Sequence, residues 1–168
     1  GTPEIWKFVA TPLDITLVNI AFNPEMDASI APQHTFTFAV GDACKLDYPS
    51  GSFDLAFSNS VIEHVGDDDR QERFAEEVRR LAPRYWVQTP SKWFPLEAHT
   101  GMPFWWFYPQ RLRDRLISSW RKKLPEWTEM VETTTVLEKR KLREMFPDST
   151  IANERLLGFV KSYVVYKA

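Results

Sequence analysis

Short β-branched or aromatic runs alternate with helical patterns along the chain, and this alternation constrains the fold more than any other feature. Four runs predict strands, at residues 15–20, 35–40, 52–57 and 84–89. Pro or Gly stands near the ends of these runs, and Asn23-Pro24 is predicted to close the first one. Strands alternating with helices predict an α/β sandwich with a mostly parallel sheet.

A helix is predicted between the third and fourth strands. Phe74, Val78 and Leu81 repeat at helical spacing within residues 70–81. Three acids at residues 67–69 come directly before them. Acidic side chains cap a helix start and complement its dipole, so the helix is predicted to begin there.

The second half of the chain predicts two further helices and a strand pair. Apolar residues fall four apart between Leu112 and Leu124, which predicts an amphipathic helix over residues 110–124. A shorter helix is predicted over 139–146. Runs at 150–157 and 162–167 flank Gly158, a pattern typical of an antiparallel pair.

Length and composition narrow the class of protein. The 168 residues predict a single domain, with an aromatic and basic insert at about residues 91–127. A formal net charge of −2 disfavours a protein that coats nucleic acid. Cys44 is the single cysteine, which suits a reducing compartment, and the sequence carries neither a basic leader nor an apolar run of about 20 residues. We therefore expect a cytoplasmic location.

Ligands of open α/β sheets bind in the crevice beyond the carboxyl ends of the strands. The segments that follow the predicted strands are therefore the first candidates for a binding site. They are residues 19–22, 41–43, 58–64 and 89–93.

One block of the sequence resembles the central motifs of one enzyme family. It begins with Gly41-Asp42-Ala43, continues through Leu46 and ends with the run Ser52-Phe-Asp-Leu-Ala-Phe-Ser-Asn-Ser-Val-Ile-Glu-His-Val65. It is similar to the class I S-adenosylmethionine-dependent methyltransferases, and specifically to the group with the generic small-molecule methyltransferase domain. The resemblance implies a Rossmann-like sheet that is mostly parallel and ends in an antiparallel strand pair. It also implies S-adenosylmethionine as cofactor and a small-molecule methyl acceptor.

The resemblance assigns cofactor contacts to the residues after the first three strands. Asp42 and Ala43 would bind the adenine, and Ser58 and Asn59 would hold the methionine end. Asn19, with Ile20 beside it, stands where the family usually has an acid on the ribose. An amide lacks the charge that strengthens such hydrogen bonds, so weaker binding is expected.

The front of the sequence departs from the family. A glycine-rich loop normally follows a first strand, and here only Gly1 and Thr2 resemble the remnant of that loop. We therefore expect the first strand to be missing and the chain to be truncated before its glycine-rich loop. A central strand missing from the sheet would leave two apolar strand edges, which predicts a homodimer or a rearranged sheet.

Candidate residues for the acceptor side follow the third and fourth strands. His64, with Glu63 before it, is the candidate acid–base group, because imidazole titrates near neutral pH. Trp93, Glu97 and His99 are candidate substrate contacts. His34 is interpreted as structural.

Other functions fit the sequence less well. A non-catalytic methyltransferase-like interaction module remains the main alternative, because the glycine-rich loop is absent and Asn19 replaces the acid. A nicotinamide dehydrogenase lacks its Gly-x-Gly-x-x-Gly motif. The three histidines have no ligand spacing along the sequence, so no metal site is predicted.

The aromatic run at residues 102–108 precedes a basic helix. Six basic residues and one acid between Arg111 and Lys123 give a local charge of +5. We interpret this segment first as a core edge with a solvated face, then as a lid over an apolar substrate. Contact with an anionic membrane surface is a third interpretation.

Overall fold

Six strands form the framework of the protein, and the computed structural model describes residues 1–22 and 26–168. Asn23-Pro24, predicted to close the first strand, lie outside the described residues. The strands are β1 (Asp14–Asn19), β2 (Thr35–Val40), β3 (Leu55–Asn59), β4 (Arg84–Pro90), β5 (Thr150–Leu156) and β6 (Phe159–Lys167).

The strands form two separate ladders. β1 and β2 pair in parallel, with Asn19 opposite Val40 at their carboxyl ends. The second sheet has the order β3–β4–β6–β5, in which β3 and β4 are parallel and the other pairs are antiparallel. The α/β architecture and the antiparallel C-terminal pair predicted from the sequence are confirmed. The sheet is less parallel than predicted, because β4 pairs with β6 in the antiparallel direction.

Four α-helices accompany the strands: α1 (Asp68–Leu81), α2 (Gln110–Arg121), α3 (Pro125–Thr133) and α4 (Lys139–Met145). The predicted acidic cap of α1 is confirmed, because the Asp67 side chain accepts from the Arg70 amide at 3.1 Å. The sequence did not predict α3. Pro125 occupies the first turn of this helix, where a missing N–H costs nothing.

The third strand begins later than predicted because the preceding turn is longer. Ser52 donates its hydroxyl to the Pro49 carbonyl at 2.6 Å, and Gly51 has a φ of 71° that favours glycine. The Gly51 and Phe53 amides then donate to carbonyls at the end of α1. These bonds hold residues 49–53 in a turn, so β3 starts at Leu55.

The core lies between α1, α4 and the four-stranded sheet. α1 contributes Phe74 and Val78, and β4 presents Tyr85 and Val87 on the same buried face. Leu142 of α4 is fully buried against them. Alternation of buried and partly exposed residues along β4 is the signature of a strand with one face in the core.

The seam between the two sheets is bridged by a short 3₁₀ helix, Pro3–Phe8. Its Trp6 ring lies 5.1 Å from the ring of Phe57 on β3. His34 holds the other side, since its Nε2 lies 3.0 Å from the Trp6 carbonyl and its Nδ1 accepts from the Leu13 amide. This contact fits the structural role predicted for His34.

No ladder joins β1 to β3 in the described ranges 1–22 and 26–168. The expectation of a rearranged sheet, in which these two edges pair directly, is therefore wrong. Apolar side chains remain accessible along both edges, with Leu55 at 51% and Ile20 at 79% exposure. A dimer across this seam stays a prediction.

The aromatic segment packs on the two helices that follow it. Trp105 is buried, and its ring lies 5.4 Å from Trp120 of α2. Trp127 of α3 stands 5.2 Å from Trp120 in an edge-to-face contact. Within the part of the chain that the structure describes, no helix combines the length and apolar content needed to cross a bilayer.

Candidate functional site

The carboxyl ends of the parallel strands carry the predicted cofactor residues. Beyond β1, the Gly41 amide donates to the Asn19 carbonyl at 3.0 Å. Asn59 pairs with Gln88 at the end of β3, and the Ser60 amide donates to the Gln88 carbonyl at 3.0 Å. Both ladders therefore end in ordered backbone at the edge where such sheets bind ligands.

Asn19 is engaged by the first residues of the chain. Its Nδ2 donates to the Gly1 carbonyl at 2.9 Å, and its Oδ1 accepts from the Gly1 amino group. The structure thus brings together Gly1, Thr2, Asn19 and the exposed Ile20, which the sequence assigned to the same ligand. A ribose contact by the Asn19 amide would require it to exchange these partners.

Asp42 forms a tight turn directly after β2. Its Oδ1 accepts from the Cys44 amide at 3.0 Å, and Arg70 Nη2 donates to both carboxylate oxygens at 3.0 and 2.9 Å. The hydrogen bond from the Cys44 amide, and then that from Arg70, hold the pKa of Asp42 below its usual value. Ala43 is partly buried against the core.

Asp42 keeps capacity for one more donor. An ionised carboxylate offers about four lone-pair sites, of which three are taken in this turn. The side chain is 44% exposed. It can therefore accept from an exocyclic amine without losing its existing partners.

Ser58 and the residues after it combine an unsatisfied group with a strained one. Ser58 is buried, and its Oγ has no hydrogen-bond partner in residues 1–22 and 26–168. Asn59 is exposed, and Ser60 has a φ of 53°, which is uncommon for a residue other than glycine. Both features are typical of ligand sites, where unsatisfied groups and strain concentrate.

On the acceptor side, four side chains form one hydrogen-bonded chain. Glu97 Oε1 lies 2.6 Å from His99 Nδ1, and His99 Nε2 lies 3.0 Å from His64 Nε2. His64 Nδ1 lies 3.2 Å from the Thr134 hydroxyl oxygen. The structure therefore joins the predicted catalytic histidine to two of the predicted substrate residues.

The protonation preferences of the two histidines diverge. The hydrogen bond to Glu97 raises the pKa of His99, whereas burial, and then the charge of His99, lower the pKa of His64. Burial alone would raise the pKa of Glu97, but hydrogen bonds from His99 and Thr100 outweigh it and lower the pKa. Without a bound ligand, the arrangement favours a charged Glu97–His99 pair beside a neutral His64.

Glu63 lies beneath this chain rather than on the surface. It is 0% exposed, and its Oε2 accepts from the Thr89 hydroxyl at 2.9 Å. Burial raises the pKa of its carboxyl group. Its Oε1 has no partner among the residues that the structure describes. The predicted catalytic Glu63 is therefore closed off from solvent, with one carboxylate oxygen unpaired.

Trp93 stands at the outer rim of the acceptor side. It is 56% exposed, and its ring lies 5.4 Å from that of Phe107. Further along the same loop, the His99 carbonyl accepts a hydrogen bond from Trp127 Nε1 of α3 at 3.1 Å. Trp127 of α3 thus ties down the loop that carries Glu97 and His99.

Sequence reasoning missed three partners of the predicted residues. Arg70 pairs with Asp42 from 28 positions away, Thr134 contacts His64 and Thr89 holds Glu63. Arg70 opens a basic–acidic helix and offered no local signal. Thr89 lies in the candidate segment 89–93, but the sequence does not indicate that its partner is Glu63.

A groove elsewhere on the surface contains none of the predicted site residues. It lies between α1 and α4, has a volume of about 440 Å³ and is lined by charged side chains such as Glu72, Arg79 and Arg140. We interpret it as a solvated groove, because the groups assigned to chemistry all lie at the strand ends.

Comparison with known proteins finds sequence matches in the first half of the chain. Residues 3–84 match the family model described as "Methyltransferase domain". Ajmaline N-methyltransferase from Rauvolfia serpentina is 36% identical over 81 residues, which are 44% of this chain and 27% of that enzyme. The chain thus spans about a quarter of the length of this curated relative.

Two solved structures resemble the chain over nearly its whole length. The PH0226 protein of Pyrococcus horikoshii OT3 is 17% identical, with a TM-score of 0.52, and the match covers 98% of this chain and 85% of that one. A Rhodobacter sphaeroides structure, provisionally described as Zn-dependent alcohol dehydrogenases, is 11% identical with a TM-score of 0.58 and covers 98% and 87%. At these identities the two structures show the fold alone.

Proposed function

We propose that this chain, whose residues 3–84 match a methyltransferase domain, is a class I S-adenosylmethionine-dependent methyltransferase that catalyses methyl transfer to a small-molecule acceptor. The observation that carries the proposal is the family match, which includes all the residues assigned to the cofactor except Gly1 and Thr2. The acceptor and the acceptor atom are not specified by this match.

The residues at the strand ends fit the family's cofactor in two places. Asp42 has an open lone pair for the adenine amine, with Ala43 beside it. The buried Ser58 hydroxyl lacks a partner among the described residues, and a ligand's polar group would satisfy it. S-adenosylmethionine supplies, when bound, a methyl group carried on a sulfonium.

The chain's own contribution on the acceptor side is to bind and orient. His64, held by Thr134, and His99, held by Glu97, present two imidazoles at the end of β3. Trp93 offers an exposed aromatic face for an apolar acceptor. Positioning of the acceptor carries much of the rate of such a transfer. Because Glu63 is buried, we assign it a positioning role.

A non-catalytic interaction module is the second candidate function. It is supported by the Asn19 amide, which is bonded to Gly1, and by the Asp42 carboxylate, which is paired with Arg70. Both groups already have partners within the chain, as expected of a domain that has lost its ligand.

Calorimetric titration of the 168-residue chain with S-adenosylhomocysteine tests the proposal. We expect saturable binding, and we expect Asp42→Ala to lose about 1–3 kcal/mol of affinity, the range for removing a hydrogen bond to a partly exposed carboxylate. Asp54→Ala, on an exposed residue before the amino end of β3, is the matched control and should bind as tightly as the parent. Absence of binding by a folded parent chain would favour the interaction module.

Ser58→Ala separates a ligand contact from a structural role. Removing a buried hydroxyl that lacks a partner should leave the free energy of unfolding unchanged or slightly higher. If Ser58 contacts the cofactor, affinity for S-adenosylhomocysteine should still fall. A variant with unchanged affinity would remove Ser58 from the site.

We propose that the protein is a cytoplasmic homodimer that does not bind nucleic acid, with contact to a membrane surface as the least favoured interaction. The support for a dimer is the pair of apolar edges at β1 and β3, which invite pairing with a second chain. Light scattering over a dilution series should give twice the chain mass at micromolar concentration. A monomer at every concentration would exclude this assembly.

A further inference from the structure

Three potential metal ligands converge at the end of β3, although they are distant in the sequence. A carboxylate oxygen of Glu63 and imidazole nitrogens of His64 and His99 all lie within 4.8 Å of one another. The two rings meet nearly at right angles, with an interplanar angle of 84°. Three groups that commonly bind transition metals therefore face one point.

The other nitrogen of each histidine is already held by an oxygen atom. Glu97 Oε1 lies within hydrogen-bond distance of His99 Nδ1, and the Thr134 hydroxyl lies within hydrogen-bond distance of His64 Nδ1. Both Nε2 atoms are consequently directed at each other, 3.0 Å apart. Metal-binding histidines are almost always oriented in this way, by a carboxylate, carbonyl or other oxygen on the second ring nitrogen.

The carboxylate of Glu63 is oriented as well, and one of its oxygens is unsatisfied. Thr89 donates to Oε2, whereas Oε1 is buried and has no hydrogen-bond partner within residues 1–22 and 26–168. The Thr135 amide fixes the Glu63 backbone at 2.8 Å. A cation between Glu63 and the histidines would satisfy the unpaired oxygen.

Distance and charge fit a four-coordinate ion. Ligand atoms of a tetrahedral site with bonds of about 2.0–2.1 Å lie about 3.3 Å apart, so the present separations of at most 4.8 Å need to close by roughly 1.5 Å. Binding an ion would therefore draw the three ligand atoms closer together than they stand here. The carboxylates of Glu63 and Glu97 together balance two positive charges.

We propose that Glu63, His64 and His99 bind one divalent transition ion of the zinc type, with Glu97 and Thr134 orienting the two imidazoles and the fourth position open. Two imidazoles and one carboxylate favour zinc over magnesium or calcium, which select oxygen ligands. The competing arrangement is a proton shared between the two Nε2 atoms, which the 3.0 Å separation also allows.

Titration with Co²⁺ distinguishes an ion from a shared proton. The chain is first stripped with a chelator, and Co²⁺ is then added while visible absorption is recorded. We expect a d–d band that saturates at one ion per chain, and bound Zn²⁺ at the same stoichiometry by elemental analysis. Absence of both a saturating band and bound metal would overturn the site in favour of the shared proton.

Variants test which residues hold the ion. His64→Ala and His99→Ala should abolish stoichiometric binding, and Glu97→Gln should weaken it 10–100-fold, the usual effect of removing an orienting partner. His34→Gln is the matched control, because His34 lies away from the cluster between Trp6 and Leu13. Metal retained by the double His64→Ala/His99→Ala variant would overturn the assignment.

X-ray absorption of the zinc-loaded parent chain identifies the ligands of the ion without any substitution. It therefore tests the proposal even if a variant fails to fold. The spectrum should require two imidazoles and one carboxylate in the coordination sphere. A sphere containing sulfur, from Cys44, or oxygen alone would contradict the proposal. None of these measurements uses S-adenosylhomocysteine. A failure of the metal site can therefore be distinguished from a failure of the proposed methyl transfer.

Discussion

Replacing Glu77 with glutamine should loosen residues 46–48, which follow the turn at Asp42. Glu77 on α1 accepts from Arg80 Nε and Nη2 at 2.8 Å each, and from the Leu46 amide at 3.1 Å. The same guanidinium donates to the carbonyls of Leu46 at 3.1 Å and of Tyr48 at 2.6 Å. This pair therefore ties residues 46–48 to the helix beneath them.

The expected cost follows from these contacts. Hydrogen bonds to charged groups contribute about 1.5–3 kcal/mol, and the Glu77 and Arg80 side chains are only 15% and 31% exposed. Glutamine keeps one acceptor oxygen, so we expect a loss of about 2 kcal/mol of unfolding free energy near pH 7. For a chain of this size that corresponds to a fall of about 4–8 °C in Tm.

The cost should depend on pH in one direction. The hydrogen bond from Arg80 lowers the pKa of Glu77 in the folded state. Its contribution is therefore present above the unfolded value near 4.5 and is lost as pH falls through the folded pKa. The difference between the parent and Glu77→Gln should shrink between pH 7 and pH 3.

Urea unfolding at several pH values measures this difference. Glu76→Gln changes the neighbouring exposed carboxylate and should cost less than about 0.5 kcal/mol at every pH. Equal effects of the two substitutions, or a Glu77→Gln effect that stays constant down to pH 3, would refute the role given to this ion pair.

Three further substitutions test the fold. Leu157→Asn should stabilise the β5–β6 turn by about 1 kcal/mol, because Leu157 is 89% exposed at a φ of 51° before Gly158; a lower Tm would contradict this. Tyr85→Phe removes a 2.7 Å hydrogen bond to Asp148 and should cost about 1 kcal/mol, and an unchanged urea midpoint would show that the bond contributes nothing. Leu142→Ala, at a fully buried position, should cost about 2–5 kcal/mol by chemical denaturation, whereas a cost below 1 kcal/mol would mean that α4 is not part of the core.

Local patterns in the sequence were sufficient for the α/β architecture and for most of its elements. β2 and β4 begin at the predicted residues. α1 begins at Asp68, within the three acids where the sequence predicts its start. Periodicity, caps and turn residues act over a few positions, so they can be read without the fold. The turn at Asp42 belongs to the same class, since it depends only on a strand followed by Gly41 and a short acid.

The tertiary structure alone decided how the predicted residues combine. His64 and His99 lie 35 positions apart, and each is held by a further residue, Thr134 or Glu97. The sequence gives no sign of this contact between the histidines, because the loop at residues 91–104 brings His99 to His64 and no local pattern encodes that return.

The same distinction explains the role of Asp42 and the separation of the two sheets. Arg70 reaches Asp42 only because α1 packs beside the turn after β2, a contact across 28 positions. Trp6 takes a place between β1 and β3 because the first 3₁₀ helix is anchored by His34. The sequence by itself determined which elements form, because their causes are local. Which side chains meet was decided by packing between distant segments, because that depends on the free energy of the whole fold.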